Sequence, residues 1–410
     1  MAKILHFADA HIDIAAHGKR DPNTGIPIRV LDFLKALDTI VDTAISREVD
    51  LVIFAGDAYK DRTPVPTFQR EWERRMIKLS QAGIQTVFLI GNHDLSPSIG
   101  RAHALQEFET LHIPNIHVVS RPQLLLPDDL NNLPVQLMAL PWISRSNYLA
   151  GFESQGIEPG EIFKELEAKV EELVHSWLHE IDNTLPTIFS AHLSVQGALI
   201  GSERSIMLGN DINLPGSLVK NKNFDYAALG HIHKAQDMND GHHPPVIYSG
   251  SIEKVDFGEA LDDKFFVIAD VQKGQTLVEW VKLDGRKFID RLLKLESNKD
   301  ILDQVIEALG SKNELEDAIV RLVIEYPRDY ETMINEEEIR KYAEESFEFH
   351  LIRRPIIEAR LRLPDDHSIS DMTDLELLKL YLKSIALEPD ELKEIEEIAP
   401  DFFLSEYRQT

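Results

Sequence analysis

Short apolar runs that stop at clusters of polar, metal-binding residue types recur along the first 260 or so residues of this chain. Continuous apolar runs, rather than alternating ones, are typical of strands covered on both faces. In chain order they are residues 4–7 before Asp9 and His11, 51–54 before Asp57, 86–90 before Asn92, His93 and Asp94, 187–190 before His192, and 226–229 before His231 and His233. Amphipathic stretches at 28–47, 68–82 and 161–180 predict helices between them, so the rhythm predicts an α/β domain.

The polar clusters all follow strands, and in α/β sheets functional groups gather beyond the carboxyl ends of the strands. Asp9 and His11 are two residues apart and point to the same side if the strand geometry persists. Asp57 follows a glycine, which permits a sharp turn. The candidate metal ligands are Asp9, His11, Asp57, Asn92, His192, His231 and His233.

This ligand set exceeds what one tetrahedral ion needs and suits two adjacent ions bridged by one carboxylate. Mixed nitrogen and oxygen ligation favours Mn, Fe or Zn over Mg or Ca. The use of such a pair is phosphoester hydrolysis. His93 is left over to protonate the leaving oxygen or stabilise the transition state, with Asp94 orienting its ring. The alternative is an α/β fold that has lost its metals.

Composition narrows the class of protein. Hydrophobic residues make up 43% and charged residues 28%, which is ordinary for a globular chain. The chain has no cysteine, which excludes thiolate metal sites and cysteine nucleophiles. We see no apolar run long enough to span a membrane and no signal peptide, and we expect a cytoplasmic protein. The net charge of −27 means that phosphate binding must rest on local cations or metals.

The pattern changes near residue 282. Strands are predicted at 288–295, 318–326 and 347–353, and helices at 299–309 and 335–342, which together form a small α+β domain. After Pro355 the chain turns helical, with a capping box from Thr373 to Glu376. These helices either pack on their own protein or dock a partner. The predicted domains are 1–282, 283–355 and 356–410.

The five clusters, in their order and spacing, resemble the motifs of calcineurin-like metallophosphoesterases. Residues 56–64 and 249–259 further resemble the SbcD branch, the nuclease subunit of SbcCD complexes. The resemblance covers nearly the whole chain, most strongly to about residue 260. It implies a metallophosphoesterase β-sandwich flanked by helices, with a small α+β capping domain and a C-terminal helical segment that docks to an SMC-like ATPase.

The resemblance also implies residue roles. Asp9, His11 and His233 would hold one ion and Asn92, His192 and His231 the other, with Asp57 bridging two Mn²⁺ ions. His93 would be the catalytic histidine. Archaeal and eukaryotic relatives usually have a second catalytic histidine three residues after the bridging aspartate, where this chain has Lys60. Lysine contacts phosphate but shuttles protons less readily near neutral pH.

The activity implied is that of a DNA exonuclease and hairpin endonuclease in DNA repair, recombination and replication. Its partners would be DNA, without sequence specificity, and an SbcC-like ATPase, with a homodimer inside a heterotetramer at the nucleoid. The chain has no phosphate-binding loop of its own, so ATP must come through another chain. A small-molecule phosphodiesterase or phosphatase would share every metal ligand. A non-catalytic scaffold is the third alternative.

The residues themselves give a modest signal for DNA binding. Lys60 and Arg62 follow the metal loop and are candidates for phosphate contact. A basic stretch continues with Arg70, Arg74, Arg75 and Lys78. Charge runs usually mean a solvated helix face, and that reading stays open beside a DNA contact.

Overall fold

The computed structural model describes residues 1–14, 18–96, 101–143, 159–201, 212–296 and 300–356, together with Leu378 and Leu382. The chain forms two compact units. The first comprises Met1–Asp290, Glu316–Val320 and Ser346–Glu348, and the second Arg291–Leu315, Arg321–Glu345 and Phe349–Thr410. Apart from Leu378 and Leu382, the predicted C-terminal helices lie outside the described residues, and the predicted domain boundaries stay predictions.

Two six-stranded sheets organise the first unit. Its strands are β1 (Ala2–Phe7), β2 (Leu51–Phe54), β3 (Gln85–Leu89), β4 (Ile116–Val119), β5 (Gln123–Leu125), β6 (Gln136–Leu140), β7 (Thr187–His192), β8 (Ser194–Val195), β9 (Asn213–Leu214), β10 (Tyr226–Gly230), β11 (Gln236–Asp237), β12 (Val246–Tyr248), β13 (Lys264–Gln272) and β14 (Gln275–Leu283). One sheet has the order β14-β13-β1-β2-β3-β4 and the other β11-β12-β10-β7-β6-β5, while β8 and β9 pair separately.

Helices cover the outer faces of this sandwich. They are α1 (Ile28–Ser46), α2 (Pro66–Gln81), α3 (Gln106–Leu111), α4 (Pro159–Glu180) and α5 (Gly216–Val219). Buried side chains of α1, α2 and α3 pack on the first sheet, and those of α4 pack on the second. The three long helices match the predicted ones to within two residues. Helix α2 begins at Pro66, a residue that the first helical turn accepts because its missing N–H is not needed there.

Apolar side chains between the sheets explain why the strand runs are continuous. Ile4, Ile53 and Val87 of the first sheet and Ile188 and Ala228 of the second are fully buried in one cluster. The neighbouring strand residues face the helices instead, so each strand has two apolar faces. The predicted α/β sandwich flanked by helices is confirmed.

An antiparallel hairpin of β13 and β14 extends the first sheet and was missed by the sequence reading. Strand β13 pairs with β1, and β14 pairs with β13 along its whole length. Residues of β14 alternate between exposed and half-buried, so its sequence lacks the apolar run of the other strands. In the segment before the hairpin, Ser251 makes a parallel bridge to Ala8, which directly follows β1.

The smaller α+β region has the predicted elements. Strands β15 (Phe288–Lys294), β16 (Ile319–Pro327) and β17 (Glu348–Ile356) form a sheet in that order. Its helices are α6 (Ile301–Leu309), α7 (Lys312–Leu315) and α8 (Glu336–Tyr342), of which α7 was not predicted. Asp300 and Asn335 cap the N-termini of α6 and α8 through their side chains. No described helix is both long and apolar enough to cross a bilayer.

A pair of carboxyl groups on α2 and α3 makes the stability of the first unit pH-dependent. Burial, with a hydrogen bond and negative charge from Glu107, raises the pKa of Glu73 to about 7. The folded protein therefore keeps a proton that the unfolded chain releases above about pH 4.5, and stability falls as pH rises from there towards 7. We expect Glu73→Gln to gain stability over the wild type at pH 8 and little at pH 5, measured by urea unfolding. The same substitution at Glu172, exposed on α4, is the control, and an equal change at both pH values would contradict the assignment.

Candidate metal centre

The carboxyl ends of the strands bring all the predicted ligands together. Two groups have ligand atoms within 4.8 Å of one another, and they are Asp9 with His11 and His233, and Asp57 with His192 and His231. The Asn92 side-chain oxygen lies 3.1 Å from His192 Nε2 and 3.1 Å from His231 Nδ1, so it belongs with the second group. We call these the Asp9 cluster and the Asn92 cluster, with Asp57 considered separately.

Several of these residues adopt a backbone conformation that L-residues rarely use. Asp9, His11, Asp57 and His231 have φ angles of 51°, 38°, 65° and 93°. Each such residue costs of order 1–3 kcal/mol and persists only where its surroundings enforce it. Here the Asp9 N–H donates to the Gly56 carbonyl at 2.9 Å. The loops that aim the ligands thus hold four strained residues.

Two glycines permit the close approach of these loops. A Cβ on Gly230 would lie 2.1 Å from the Ala55 carbonyl oxygen, and one on Gly91 would lie 2.1 Å from the Asp57 carboxylate. Either side chain would collide with the site. The glycines that precede Asn92 and His231 are therefore required by packing around the ligands.

Backbone carbonyls set the orientation of two ligand histidines. His11 Nδ1 lies 3.3 Å from the Tyr59 carbonyl oxygen, and His192 Nδ1 lies 2.6 Å from that of Ala55. A carbonyl only accepts, so each Nδ1 carries a proton and Nε2 is the nitrogen that would bind a metal.

His233 is oriented in the same way by a carboxylate, because its Nδ1 donates to Glu259 Oε1 at 2.8 Å. Its Nε2 lies 3.1 Å from His11 Nε2. Because His11 and His233 each carry their proton on Nδ1, the lone pairs of their two Nε2 atoms face each other. A cation between the two Nε2 atoms would stabilise this arrangement. The residues of the Asp9 cluster therefore fit a divalent ion.

One oxygen of Asp57 faces both clusters. Asp57 Oδ2 is 3.7 Å from His11 Nε2 and 3.4 Å from His192 Nε2, while Oδ1 accepts the His93 N–H at 2.8 Å. Burial opposes ionisation, but His192 outweighs it and holds the pKa of Asp57 well below its usual value. The same pairing overcomes burial at His192 and raises its pKa to about 9. The site therefore presents an ionised carboxylate between the clusters.

Asp94 lies behind the ligand loops and is fully buried. Its carboxylate accepts the N–H groups of Asp57 at 2.8 Å, Ala58 at 2.9 Å and Gly91 at 2.9 Å. The ring of His93, which Asp94 was expected to orient, instead lies with Nδ1 2.9 Å from the Lys60 carbonyl oxygen. Asp94 thus ties together the two loops that carry Asp57 and Asn92.

His93 borders an open cleft beside the clusters. Its Nε2 lies 3.4 Å from the Lys60 ammonium. The cleft has a volume of about 530 Å³ and is lined by Asp13, Ile14, Lys60, Asp61, Arg62, Thr63 and His93. Both predicted phosphate contacts, Lys60 and Arg62, therefore share one cavity with the predicted catalytic histidine.

The remaining arginines of α2 form ion pairs with carboxylates. Glu71 accepts ion pairs from Arg70 at 2.8 Å, Arg74 at 3.1 Å and Arg75 at 3.3 Å. Arg75 also pairs with Asp38 of α1 at 2.7 Å. These carboxylates offset part of the positive charge of this helix face, while Arg70 and Arg74 stay exposed.

Comparison with known proteins identifies the class. Residues 2–235 match the family of calcineurin-like phosphoesterases, so the chain belongs to that family. It is a metal-dependent phosphoesterase, and its two residue clusters are candidate sites for divalent metal ions.

Curated relatives support the resemblance to SbcD-type proteins. The chain is 26% identical over 283 residues to the SbcD subunit of nuclease SbcCD from Escherichia coli K12, covering 67% of this chain and 66% of that protein, just under two thirds of its length. It is 27% identical over 284 residues to the SbcD subunit of the same nuclease from Staphylococcus epidermidis, covering 68% of each. A dimetal phosphatase from Danio rerio aligns at 12% identity and a TM-score of 0.38, over 68% of this chain and 98% of that one.

The part played by Asp94 can be tested by Asp94→Asn. An amide offers one acceptor oxygen, so a backbone N–H would be left facing the amide nitrogen, at a cost of about 1–3 kcal/mol in unfolding free energy. We expect the apparent Mn²⁺ affinity in calorimetric titration to fall roughly 10–100-fold because the ligand loops shift.

The control is Asp225→Asn. Asp225 is equally buried and accepts the Thr187 and Gly274 N–H groups at 2.7 and 2.6 Å, outside the site. It should lose stability and keep its Mn²⁺ affinity. Unchanged metal binding by Asp94→Asn would show that Asp94 does not organise the centre.

Proposed function

We propose that this chain is a two-metal DNA nuclease subunit that hydrolyses phosphodiester bonds. The observation that carries the proposal is the single Asp57 oxygen shared by two ligand clusters beside the cleft of His93. In this proposal Asp57 bridges two ions, with Asp9, His11 and His233 around one and Asn92, His192 and His231 around the other.

The ligand chemistry supports manganese. Four imidazoles, two carboxylates and one amide form a mixed nitrogen and oxygen set, which suits Mn²⁺ better than an all-oxygen site would. Two divalent ions bound there would generate a nucleophile from water at neutral pH and neutralise the charge that develops on the phosphate.

His93 is proposed as the proton donor to the leaving oxygen. Its Nδ1–H is fixed on the Lys60 carbonyl, which leaves Nε2 as the nitrogen that borders the cleft, 3.4 Å from the Lys60 ammonium. Burial lowers the pKa of His93, so the free ring is neutral at pH 7. A negatively charged phosphate in the cleft raises that pKa again, and the ring takes up a proton as substrate binds. It then donates this proton from Nε2.

Lys60 and Arg62 are proposed to hold the phosphates that flank the scissile bond. Both line the cleft, and Arg62 is exposed. Contacts to phosphates carry no sequence information, so cleavage is expected at any sequence. The net charge of −27 and the ion pairs on α2 weaken the attraction of this chain for phosphates, so we expect weak affinity for DNA alone.

If this chain binds DNA weakly by itself, a partner must bring DNA to the site. We propose an SbcC-like ATPase that loads DNA onto a dimer of this chain, with residues 356–410 as the docking segment and the cytoplasmic nucleoid as the location. The support is that the curated relatives are subunits of a complex called SbcCD and that this chain lacks a phosphate-binding loop for ATP.

The experiment is Mn²⁺-dependent cleavage of an end-labelled DNA duplex and a DNA hairpin beside a chromogenic phosphodiester. We expect the wild type to cut all three substrates. His93→Ala should lose about 10²–10⁴-fold in DNA cleavage and still bind two ions, because His93 is assigned to proton transfer and not to ligation. His117→Ala, at a half-buried histidine that contacts Gln85 in the first sheet, is the matched control.

Two outcomes would contradict the proposal in different ways. Turnover of the chromogenic ester alone, with and without an added SbcC-type ATPase, would make the chain a small-molecule phosphodiesterase. Loss of one ion in His93→Ala would show that His93 is a ligand.

A further inference from the structure

A buried ion pair lies directly behind one of the ligand histidines. Glu259 follows β12 in a short 3₁₀ helix, Phe257–Glu259, and is 1% exposed. Its Oε1 accepts the His233 Nδ1–H at 2.8 Å. Its Oε2 lies 2.7 Å from the Lys264 ammonium and accepts the Val255 N–H at 3.0 Å. Ser251 Oγ donates to the same oxygen at 3.4 Å, so the carboxylate is surrounded by donors, one of them the ligand ring.

Lys264 is fixed as firmly as Glu259. It is the first residue of β13 and is 2% exposed. Its ammonium donates to Ser251 Oγ at 2.7 Å and to the His233 carbonyl oxygen at 3.3 Å as well as to Glu259. The β13–β14 hairpin, which was not predicted from the sequence, thus places the Lys264 ammonium behind the metal centre.

The acceptor on His233 differs from those on His11 and His192. Those two rings donate to neutral backbone carbonyls, whereas His233 donates to a carboxylate. A carboxylate withdraws the Nδ1 proton more strongly and makes the opposite nitrogen a better electron donor to a metal. The three anchored histidines are therefore unequal as ligands, and His233 belongs to the Asp9 cluster.

We propose that Glu259, held by Lys264, is a positioning residue that fixes the tautomer of His233 and gives the Asp9 cluster the tighter hold on its ion. The inference rests on the proposed function in that His233 binds a metal. Lys264, 2.7 Å from Oε2, holds the carboxylate in this orientation. The contacts of Glu259 and Lys264 reach the Asp9 cluster through His233, whereas the Asn92 cluster is joined to that cluster through Asp57, so the Asn92 cluster is expected to change less.

Glu259→Gln tests the proposal because it exchanges a carboxylate for an amide of the same shape. Lys264 only donates, so it selects the amide oxygen and turns the amide NH₂ toward His233. The ring must then accept at Nδ1 and carry its proton on Nε2, which points at His11. We expect the tautomer of His233 to reverse and the Mn²⁺ affinity of the Asp9 cluster to fall roughly 10–100-fold, while the Asn92 cluster changes less than about twofold.

The direct readout is the ¹⁵N NMR spectrum of the histidine side chains in the metal-free protein, at about pH 9, where ordinary imidazoles are neutral. The His233 signals are assigned by their loss in His233→Asn. The wild type should show a protonated Nδ1 and a bare Nε2. An unprotonated Nδ1, or a ring protonated on both nitrogens, would overturn the proposal. This result comes from the wild type and so does not require a Glu259 variant to fold.

Metal binding and activity supply the second readout. In Glu259→Gln, cleavage should be lost at low Mn²⁺ and restored as Mn²⁺ is raised, with kcat recovering towards the wild-type value. Glu253→Gln is the matched control, because Glu253 is also 1% exposed and accepts the Lys254 and Arg286 N–H groups away from the ligand histidines. It should leave the tautomer and both affinities unchanged.

The failures are distinguishable. A wild type that binds no Mn²⁺ at either cluster refutes the proposed function, while the tautomer spectra still decide the role of Glu259. A reversed tautomer with unchanged Mn²⁺ affinity, or a defect that added Mn²⁺ does not rescue, overturns the positioning role.

Discussion

Close approach of two loops from different sheets is the constraint on which the metal centre depends. The Ala55 carbonyl, just after β2, accepts the His192 Nδ1–H at 2.6 Å and passes so close to Gly230 that no side chain fits there. The first sheet supplies Asp9, His11, Asp57 and Asn92, and the second supplies His192, His231 and His233. Neither sheet holds a complete cluster by itself. The apolar core between the sheets therefore determines the geometry of the site, because it fixes how the edges of the two sheets meet.

The sequence predicted this part of the structure well for a physical reason. A parallel strand buried on both faces must be apolar along its length, so its end is marked by the first polar residue. At five strands, the predicted ligands lie at or just beyond this end. Asp57, for example, follows the last residue of β2, Phe54, after Ala55 and Gly56. The spacing within the motifs then places the side chains at one edge of the sandwich.

Features that depend on distant partners were less visible in the sequence. Asp94 follows His93 directly, yet its carboxylate turns to backbone amides and the ring turns to Lys60. The sequence does not show that Arg75 of α2 forms an ion pair with Asp38 of α1. Glu259 is 26 residues from His233, so their contact depends on the tertiary fold and no local sequence pattern predicts it.

Anomalous X-ray diffraction from crystals soaked in Mn²⁺ tests the central claim most directly, since it locates each ion without reference to activity. We predict two peaks, one beside Asp9, His11 and His233 and one beside Asn92, His192 and His231, with Asp57 between them. A single peak, or two peaks of which one lies away from these side chains, would contradict the assignment of a bridged two-metal centre.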